Sequence, residues 1–193
     1  MSAYRTIVAD PPWPYEPRGG GYQLRSSQAH RPNDVARRGV HTIERYESMS
    51  IEALCDLKPP AGDDAHLYLW VTNAFMVEGH QIARAWGFRP KTICTWGKVQ
   101  PDGRPSMKTG HYFRGATEHV IFGVRGRLPF PTEQPSATLW LWPRLPHSTK
   151  PDAFYDLVER LSPGPYLELF ARRARFGWDY WGDQSLGTVE LTA

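Results

Sequence analysis

The chain of 193 residues contains few cysteines, no long apolar run and little excess charge. Its two cysteines, Cys55 and Cys94, lie in unrelated contexts, which argues against a disulfide framework or a cysteine zinc site and fits a reducing cytosol. No stretch approaches about 20 consecutive apolar residues, so we expect no membrane span. The N-terminus leads directly into a strand-like run, and we expect no signal peptide. The net charge of +3 is too small to name a partner.

What the chain does contain is large flat side chains and many turn formers. Eight tryptophans accompany 18 prolines and 17 glycines. This length suits one globular domain, and we expect a single domain over residues 1–193.

Short apolar runs alternate with helical segments along the chain, and two long irregular segments, 17–45 and 99–117, interrupt them. Alternation of this kind predicts an α/β domain with a mostly parallel sheet and helices on both faces. Ser50 and Asn73 are expected to cap the first two helices, and Pro151 is expected at the first position of the third. The predicted strands are 6–9, 66–72, 92–96, 118–124, 138–142 and 166–170, with a further strand within 177–191, and the predicted helices are 50–57, 74–86 and 152–161.

The sharpest local feature is Asp10-Pro11-Pro12-Trp13, directly after the first predicted strand. Open α/β sheets bind ligands where their strands end. A carboxylate and neighbouring backbone carbonyls at such a point can accept hydrogen bonds from an exocyclic adenine amine, whose lone pair is delocalised into the ring. They would oppose the charge that develops as that amine attacks a methyl group, and such preorganised groups contribute about 3–4 kcal/mol each. The alternative is a strand ending in a Pro-Pro turn, with Asp10 as a local cap.

Further segments follow Asp10-Pro11-Pro12-Trp13 in a recognisable order. With that motif they resemble the MT-A family of S-adenosylmethionine-dependent adenine-N6 methyltransferases, and the resemblance covers nearly the whole chain. The segments are 46–50 (Tyr-Glu-Ser-Met-Ser), 66–72, 109–111 with 118–126, 147–152 (His-Ser-Thr-Lys-Pro-Asp), 159–164, 168–172 and 182–184.

The resemblance implies a Rossmann-like methyltransferase fold, S-adenosylmethionine as cofactor and a role for each matching residue. Asp10 would hold the target amine near the Pro11 and Pro12 carbonyls, and Trp13 or Tyr46 would contact the base. Asp10 would also border the cofactor. The other implied cofactor contacts are Lys150 to the methionine carboxylate and Arg172, Asp183 and Gln184 to the ribose.

Two departures from the family pattern concern the cofactor. Position 183 holds Asp where the family has Asn, and a carboxylate still accepts hydrogen bonds from ribose hydroxyls. Only nine residues precede Asp10, so an upstream acidic contact to the cofactor adenine must be replaced by residues that the sequence does not name. The motif order is permuted, with the catalytic strand first, so the missing Gly-x-Gly-x-x-Gly does not count against cofactor binding.

Positive charge is concentrated in two segments beside the motifs. Residues 17–43 and residues 98–127 each carry a net +4, with aromatic residues interleaved. Basic loops with flat side chains suit phosphate contact and base stacking, although ordinary solvated loop charge is the alternative. The residues predicted to bind the substrate are Trp13, Tyr46, Trp96, Arg37, Arg38, Lys108 and Arg114.

The sequence therefore predicts a cytoplasmic enzyme of a bacterium or phage that methylates adenine N6 in nucleic acid, with DNA favoured by the compact length. RNA adenosine is one alternative, and a non-catalytic nucleic-acid-binding partner subunit on the same fold is another. Methylation of a small nucleoside or a protein amide fits the basic loops less well. No metal site is predicted, because His111, His119 and His147 lack ligand spacing. A homodimer is compatible with the sequence.

Overall fold

A computed structural model describes residues 3–15, 48–107, 112–130, 136–146, 149–182 and 189. The strands are β1 (Tyr4–Ala9), β2 (Ala61–Val71), β3 (Arg89–Val99), β4 (Thr117–Arg125), β5 (Leu139–Pro143), β6 (Tyr166–Leu169) and β7 (Trp178–Trp181). The helices are α1 (Ile51–Asp56), α2 (Met76–Ala85) and α3 (Asp152–Leu161), with a 3₁₀ turn at Asn73–Phe75 before α2.

The seven strands form one sheet in the order β5-β3-β4-β2-β1-β6-β7. Strand β4 is antiparallel to both of its neighbours, and every other pair is parallel. The predicted α/β class with a mostly parallel, Rossmann-like sheet is therefore confirmed. The carboxyl ends of six strands meet the amino end of β4 at one edge, which we call the carboxyl-end edge.

Helices cover both faces of the sheet, as predicted. One face packs against α1 and α2, and the other packs against α3. Because side chains alternate along a strand, successive residues of β1 enter different cores. The first core includes Ile7, Ala9, Leu67, Leu69, Ile121, Leu54, Ile82 and Trp86, and the second includes Val8, Tyr68, Trp70, Val120, Phe122, Phe154, Tyr155 and Val158.

The helix boundaries follow the expected signals in part. The Ser50 side chain accepts a hydrogen bond from the Ala53 amide at 3.1 Å, which confirms the predicted cap of α1. Gly87 follows α2 with a φ of +81°, as expected of a residue just past a helix end. Asn73 does not cap α2, because the 3₁₀ turn intervenes. Pro151 stands one residue before α3, as its N-cap, rather than inside its first turn.

Two strands are longer than their apolar runs. Strand β2 begins at Ala61, five residues before its predicted start at 66, because Tyr4 of β1 pairs with Ala61 before an irregularity in the register. Strand β3 extends from Arg89 to Val99 because β4 supplies a continuous antiparallel partner. None of the helices in the described ranges has the length and apolar character needed to cross a bilayer.

Candidate active site

The motif Asp10-Pro11-Pro12-Trp13 lies at the carboxyl-end edge, directly after β1 in the middle of the sheet. The Pro11 carbonyl accepts a hydrogen bond from the Trp13 amide at 2.9 Å, and the Pro12 carbonyl accepts one from the Met49 amide at 3.0 Å. Because a carbonyl oxygen has two lone pairs, each can accept a second bond. These contacts hold the turn after Asp10 in one shape.

The Trp13 side chain is packed against the protein at this turn and is not open to solvent. It is only 7% exposed, and its ring is stacked on Phe75 with the centroids 5.1 Å apart. Tyr15 packs edge-on against the same Phe75 ring at 5.0 Å. Its hydroxyl donates to Thr72 Oγ1 at 2.8 Å, yet the residue remains 58% exposed. The exposed aromatic ring of this segment is therefore that of Tyr15, and the predicted contact of Trp13 with the base stays a prediction.

Four charged side chains of alternating sign run from Asp10 across the sheet, and we call them the charged row: Asp10, Lys150, Glu118 and Lys98. Lys150 Nζ lies 3.0 Å from Asp10 Oδ2 and 3.1 Å from Glu118 Oε2. The other Glu118 oxygen, Oε1, accepts from Lys98 Nζ. The side chains of Lys150 and Lys98 are only 11% and 8% exposed, so these pairs are largely shielded from water.

The strands that carry the row also explain its position. In β3 the buried residues alternate as Cys94, Trp96 and Lys98, which places Lys98 on the α3 face. Glu118 is the second residue of β4, and it pairs in register with Trp96. The two ammonium groups also lie over indole rings, with Lys150 Nζ 4.7 Å from the Trp70 ring centre and Lys98 Nζ 4.5 Å from that of Trp96. Such cation–π contacts stabilise a cation where water is scarce.

The row favours the charged forms of its two central members, Glu118 and Lys150. Burial favours the neutral form of Glu118, but the ammonium groups of Lys150 and Lys98 outweigh it and lower the pKa of that carboxyl. Burial also disfavours the charged form of Lys150, but the Asp10 and Glu118 carboxylates outweigh it and raise the pKa of that amine. Each charge is thus stabilised by its neighbours rather than by water.

A further carboxyl group lies beside the row, on β6. Glu168 is 7% exposed, and its Oε1 accepts a hydrogen bond from the Tyr155 hydroxyl at 2.7 Å. Burial, with a smaller contribution from the Asp10 charge, raises the pKa of Glu168 to about 7. The site therefore contains a carboxyl group that titrates near neutrality.

The predicted cofactor residues beyond Lys150 follow β6 and β7. Arg172 is half-buried in the segment after β6. Gly182, just after β7, packs closely on that segment, and a Cβ there would lie 2.6 Å from the Ala171 oxygen. Asp183 and Gln184 lie outside the described residues. Their contacts and that of Arg172 with a cofactor remain predictions.

The structure corrects the expected placement of Trp96. It is 1% exposed, and its indole nitrogen donates to the Trp142 carbonyl at 3.1 Å, so its ring lies in the core rather than on a base-stacking surface. Arg114 does lie on the surface, beside Tyr112 and Phe113, which are 97% and 93% exposed. The other predicted substrate contacts, Tyr46, Arg37, Arg38 and Lys108, lie outside the described residues.

At least three of the six basic side chains in segment 98–127 bind to other groups of the same protein. Lys98 pairs with Glu118, and the Arg104 guanidinium donates to Asp102 at 2.7 Å. Arg125 donates to the Ala61 carbonyl at 3.0 Å and to the Trp86 carbonyl at the end of α2. The expectation of a broadly basic loop is therefore too simple for this segment.

Comparison with known proteins identifies the family to which the chain belongs. The model of the MT-A70 family matches residues 4–184, which is most of the chain. The chain belongs to the MT-A70 family. It is similar to the type II methyltransferase M.MunI of a Mycoplasma species, with 31% identity over 93% of this chain and 76% of that protein.

Eukaryotic MT-A70 relatives are more distant and much longer. The human N(6)-adenosine-methyltransferase catalytic subunit METTL3 is 26% identical over 89% of this chain, and a probable MT-A70-like N(6)-adenosine-methyltransferase of rice is 28% identical over 97%. The chain spans about a quarter of the length of each of these two proteins. The comparisons establish an N6-adenine methyltransferase family that uses S-adenosylmethionine.

The residues of the site fit that cofactor. The methionine portion of S-adenosylmethionine carries a carboxylate and an ammonium group side by side. Lys150 and Asp10 present a cation and an anion 3.0 Å apart at the carboxyl-end edge. The Lys150 charge is complementary to the cofactor carboxylate, and the Asp10 charge is complementary to the cofactor ammonium group. Lys150 also precedes the N-terminus of α3, where an anion is stabilised by the helix dipole.

Sequence reasoning did not assign a role in the site to Lys98, Glu118 or Glu168. The predicted strand ends at residue 96, which leaves Lys98 in the basic loop segment. Every second residue of this strand, Cys94 and then Trp96, is large or apolar. Continuing this alternation by two residues places Lys98 on the same buried face. Glu118 was the first residue of its predicted strand, and nothing in the sequence shows that this strand runs opposite to its neighbours.

Proposed function

We propose that the chain transfers a methyl group from S-adenosylmethionine to the N6 amine of adenine in DNA, with Asp10 as the group that receives the amine. The observation that carries this proposal is the position of the Asp10 carboxylate, at the carboxyl-end edge and held at 3.0 Å by Lys150. The bound cofactor supplies the activated methyl group. The family likeness supports the reaction, and the geometry supports the assignment of residues.

In this mechanism Asp10 accepts a hydrogen bond from the target amine and opposes the positive charge that grows on nitrogen during transfer. The carbonyls of Pro11 and Pro12, each with a second lone pair, lie in the adjoining turn. Lys150 orients Asp10 and meets the cofactor carboxylate, and Arg172, Asp183 and Gln184 contact the ribose. After transfer the amine loses a proton, which Asp10 or water accepts. The protein's main contribution is alignment of the two reacting groups.

Substrate contacts are proposed for the surface around this edge. Tyr15 offers an exposed ring five residues after Asp10, and Tyr112 and Phe113 offer exposed rings before β4. Arg114, with Lys108, Arg37 and Arg38, would contact phosphates, and Tyr46 would contact the base. In a duplex the adenine must leave the base stack at a cost of a few kcal/mol, and exposed aromatic rings can hold it.

The choice of DNA is supported by the breadth of one likeness. The Mycoplasma type II methyltransferase is matched over 76% of its length, whereas METTL3 is matched over 26%. The first likeness favours a DNA substrate and the second favours adenosine in RNA.

A direct test follows the labelled methyl group. The protein is incubated with labelled cofactor and separate DNA and RNA pools, and N6-methyladenine is quantified after nuclease digestion. We expect label in DNA, and a loss of at least about 100-fold in Asp10→Ala, the range for removing one stabilising group. The control Asp56→Ala, at the exposed end of α1, should retain full activity. Label in RNA alone would contradict the DNA assignment, and full activity of Asp10→Ala would contradict the mechanism.

A further inference from the structure

Lys98 is a buried cation to which the proposed reaction gives no role. Its side chain is 8% exposed, with Nζ on Glu118 Oε1 and 4.5 Å above the Trp96 ring. Its backbone is fixed on both sides, because the Lys98 amide donates to the Ala116 carbonyl at 2.8 Å and its carbonyl accepts from the Ser106 amide at 2.7 Å. A lysine held in this way points in one direction, toward Glu118 and away from solvent.

Glu118 transmits this constraint along the charged row. One of its oxygens is bound by Lys98, and the other lies 3.1 Å from Lys150, which in turn lies 3.0 Å from Asp10. Lys150 is therefore shared between two carboxylates. Negative and positive charges alternate along the row, so the position of each side chain depends on that of the next. Because the side chains are largely shielded from water, each attraction is stronger than it would be on the surface.

We propose that Lys98 is a positioning residue for methyl transfer. By holding Glu118 on the β3 side, it keeps Lys150 shared between Glu118 and Asp10, and Asp10 then presents a free oxygen to the target amine. This inference rests on the proposed function, in which Asp10 receives that amine. Without Lys98, Glu118 keeps one cation instead of two, draws Lys150 toward itself and leaves Asp10 without its fixed partner.

The competing interpretation is that Lys98 contacts a phosphate of the substrate, as its place in a basic segment first indicated. The two roles differ in what they change. A phosphate contact contributes to substrate affinity and to its salt dependence, and its loss lowers the slope of log K against log salt by about 1. A positioning role changes the rate of the bound complex and leaves affinity and slope unaltered.

The test compares Lys98→Met, Lys98→Arg and the control Lys91→Met. Lys91 lies on the same strand but is exposed, so the control removes an equal charge without touching the row. We expect Lys98→Met to lower kcat by about 10- to 100-fold, the cost of displacing a reacting group by up to an ångström. DNA affinity and its salt slope should match wild type, and Lys98→Arg should restore most of the rate. Unchanged kcat with a reduced salt slope would overturn the inference.

The pH profile gives a second readout. Removing Lys98 takes one cation from Glu118, so the acid limb of kcat should move to higher pH in Lys98→Met and return in Lys98→Arg. The other titratable groups around the row are Asp10, Lys150, Glu168, Tyr155 and His119. They are present in every variant compared, so the shift reports the loss of Lys98. An acid limb that coincides with that of wild type would count against the proposal.

A double-mutant cycle asks whether Lys98 acts through Glu118. If it does, Lys98→Met combined with Glu118→Gln should be no slower than Glu118→Gln alone, because the pair acts as a unit. Independent, multiplying losses would overturn the proposal. Glu118→Gln also serves as the test if Lys98→Met does not fold, since it should lower kcat with DNA affinity unchanged.

Asp10→Ala is assayed in parallel to separate the two levels of inference. Loss of activity in Asp10→Ala with full kcat in Lys98→Met refutes the role of Lys98 alone. Full activity in Asp10→Ala refutes the proposed function itself.

Discussion

At the scale of single residues, the site combines charges that stabilise each other with one carboxyl group that stands apart. Lys150 and Glu118 each have a partner of opposite sign on two sides. Glu168, by contrast, accepts a hydrogen bond from the Tyr155 hydroxyl and is buried near the negative charge of Asp10. The surroundings of Lys150 and Glu118 favour their charged forms, whereas the surroundings of Glu168 favour its protonated form.

This difference predicts how stability depends on pH. Burial raises the pKa of Glu168 from 4.5 to about 7, so the folded protein binds this proton more tightly than the unfolded chain. Its contribution to stability is present below about pH 4.5 and is lost as the pH rises toward 7. Glu168→Gln removes this loss, and we expect the variant to be more stable than wild type at pH 8 by about 3 kcal/mol.

Urea denaturation of both proteins at a series of pH values measures this gap. The gap should be small near pH 5 and grow up to about pH 7, where the carboxyl ionises. The control Glu78→Gln, on α2, should follow wild type at every pH. A gap between Glu168→Gln and wild type that is constant with pH would show that burial does not hold the proton on Glu168.

At the scale of elements, the loops after β6 and β7 meet in a contact that only glycine allows. A Cβ on Gly182 would lie 2.6 Å from the Ala171 oxygen and 2.7 Å from its nitrogen. That nitrogen already donates to the Trp181 carbonyl at 3.0 Å, so the backbone is fixed there. Arg172 follows directly, and its position depends on this contact.

Gly182→Ala should therefore weaken cofactor binding. Forcing the two backbones apart costs about 1–3 kcal/mol, and if it displaces Arg172 the dissociation constant for S-adenosylmethionine rises about 5- to 150-fold. Calorimetric titration measures this change. Gly115→Ala provides the control, because nothing lies within 4 Å of a Cβ at that position. Equal affinities of Gly182→Ala and wild type would remove Arg172 from the proposed cofactor site.

The element scale also shows what the sequence can predict. Apolar runs such as 6–9 and 66–72 identify the central strands because both faces of the sheet are covered and the strands are buried throughout. The place of Asp10 at a strand end follows from Pro11 and Pro12, which stop the strand. The direction of β4 does not follow, because antiparallel and parallel strands can carry the same apolar residues. Hence the meeting of Glu118 with Lys98 was not predictable.

At the scale of the whole molecule, the two edges of the sheet carry similar aromatic residues with different neighbours. Phe113 is 93% exposed and lies at the carboxyl-end edge, four residues before β4 begins. Phe176 is fully exposed and lies near the opposite edge, just before β7, whose first residue pairs with Tyr166 at the start of β6. The proposed substrate surface includes the first residue and not the second.

Matched substitutions at these two phenylalanines test which edge meets the substrate. Phe113→Ala should weaken DNA binding by about 1–3 kcal/mol, the contribution of one stacked base, or about 5- to 150-fold in affinity. Phe176→Ala should bind like wild type. Both affinities are measured with the same adenine-containing oligonucleotide at one fixed salt concentration. Equal effects at the two positions would show that the carboxyl-end edge is not the binding surface.

The antiparallel direction of β4 has a consequence for engineering. Strands β3 and β4 are paired antiparallel, with Lys98 and Glu118 at the end where the connecting segment begins and ends, and Ser106 and Ala116 hydrogen-bond to the Lys98 backbone. We therefore expect that the chain between Ser106 and Ala116 can be replaced by another sequence while Lys98 and Glu118 keep their positions. Because Phe113 and Arg114 are proposed substrate contacts, we expect chimaeras joined at Ser106 and Ala116 to change the sequence preference and to keep the methyl-transfer chemistry.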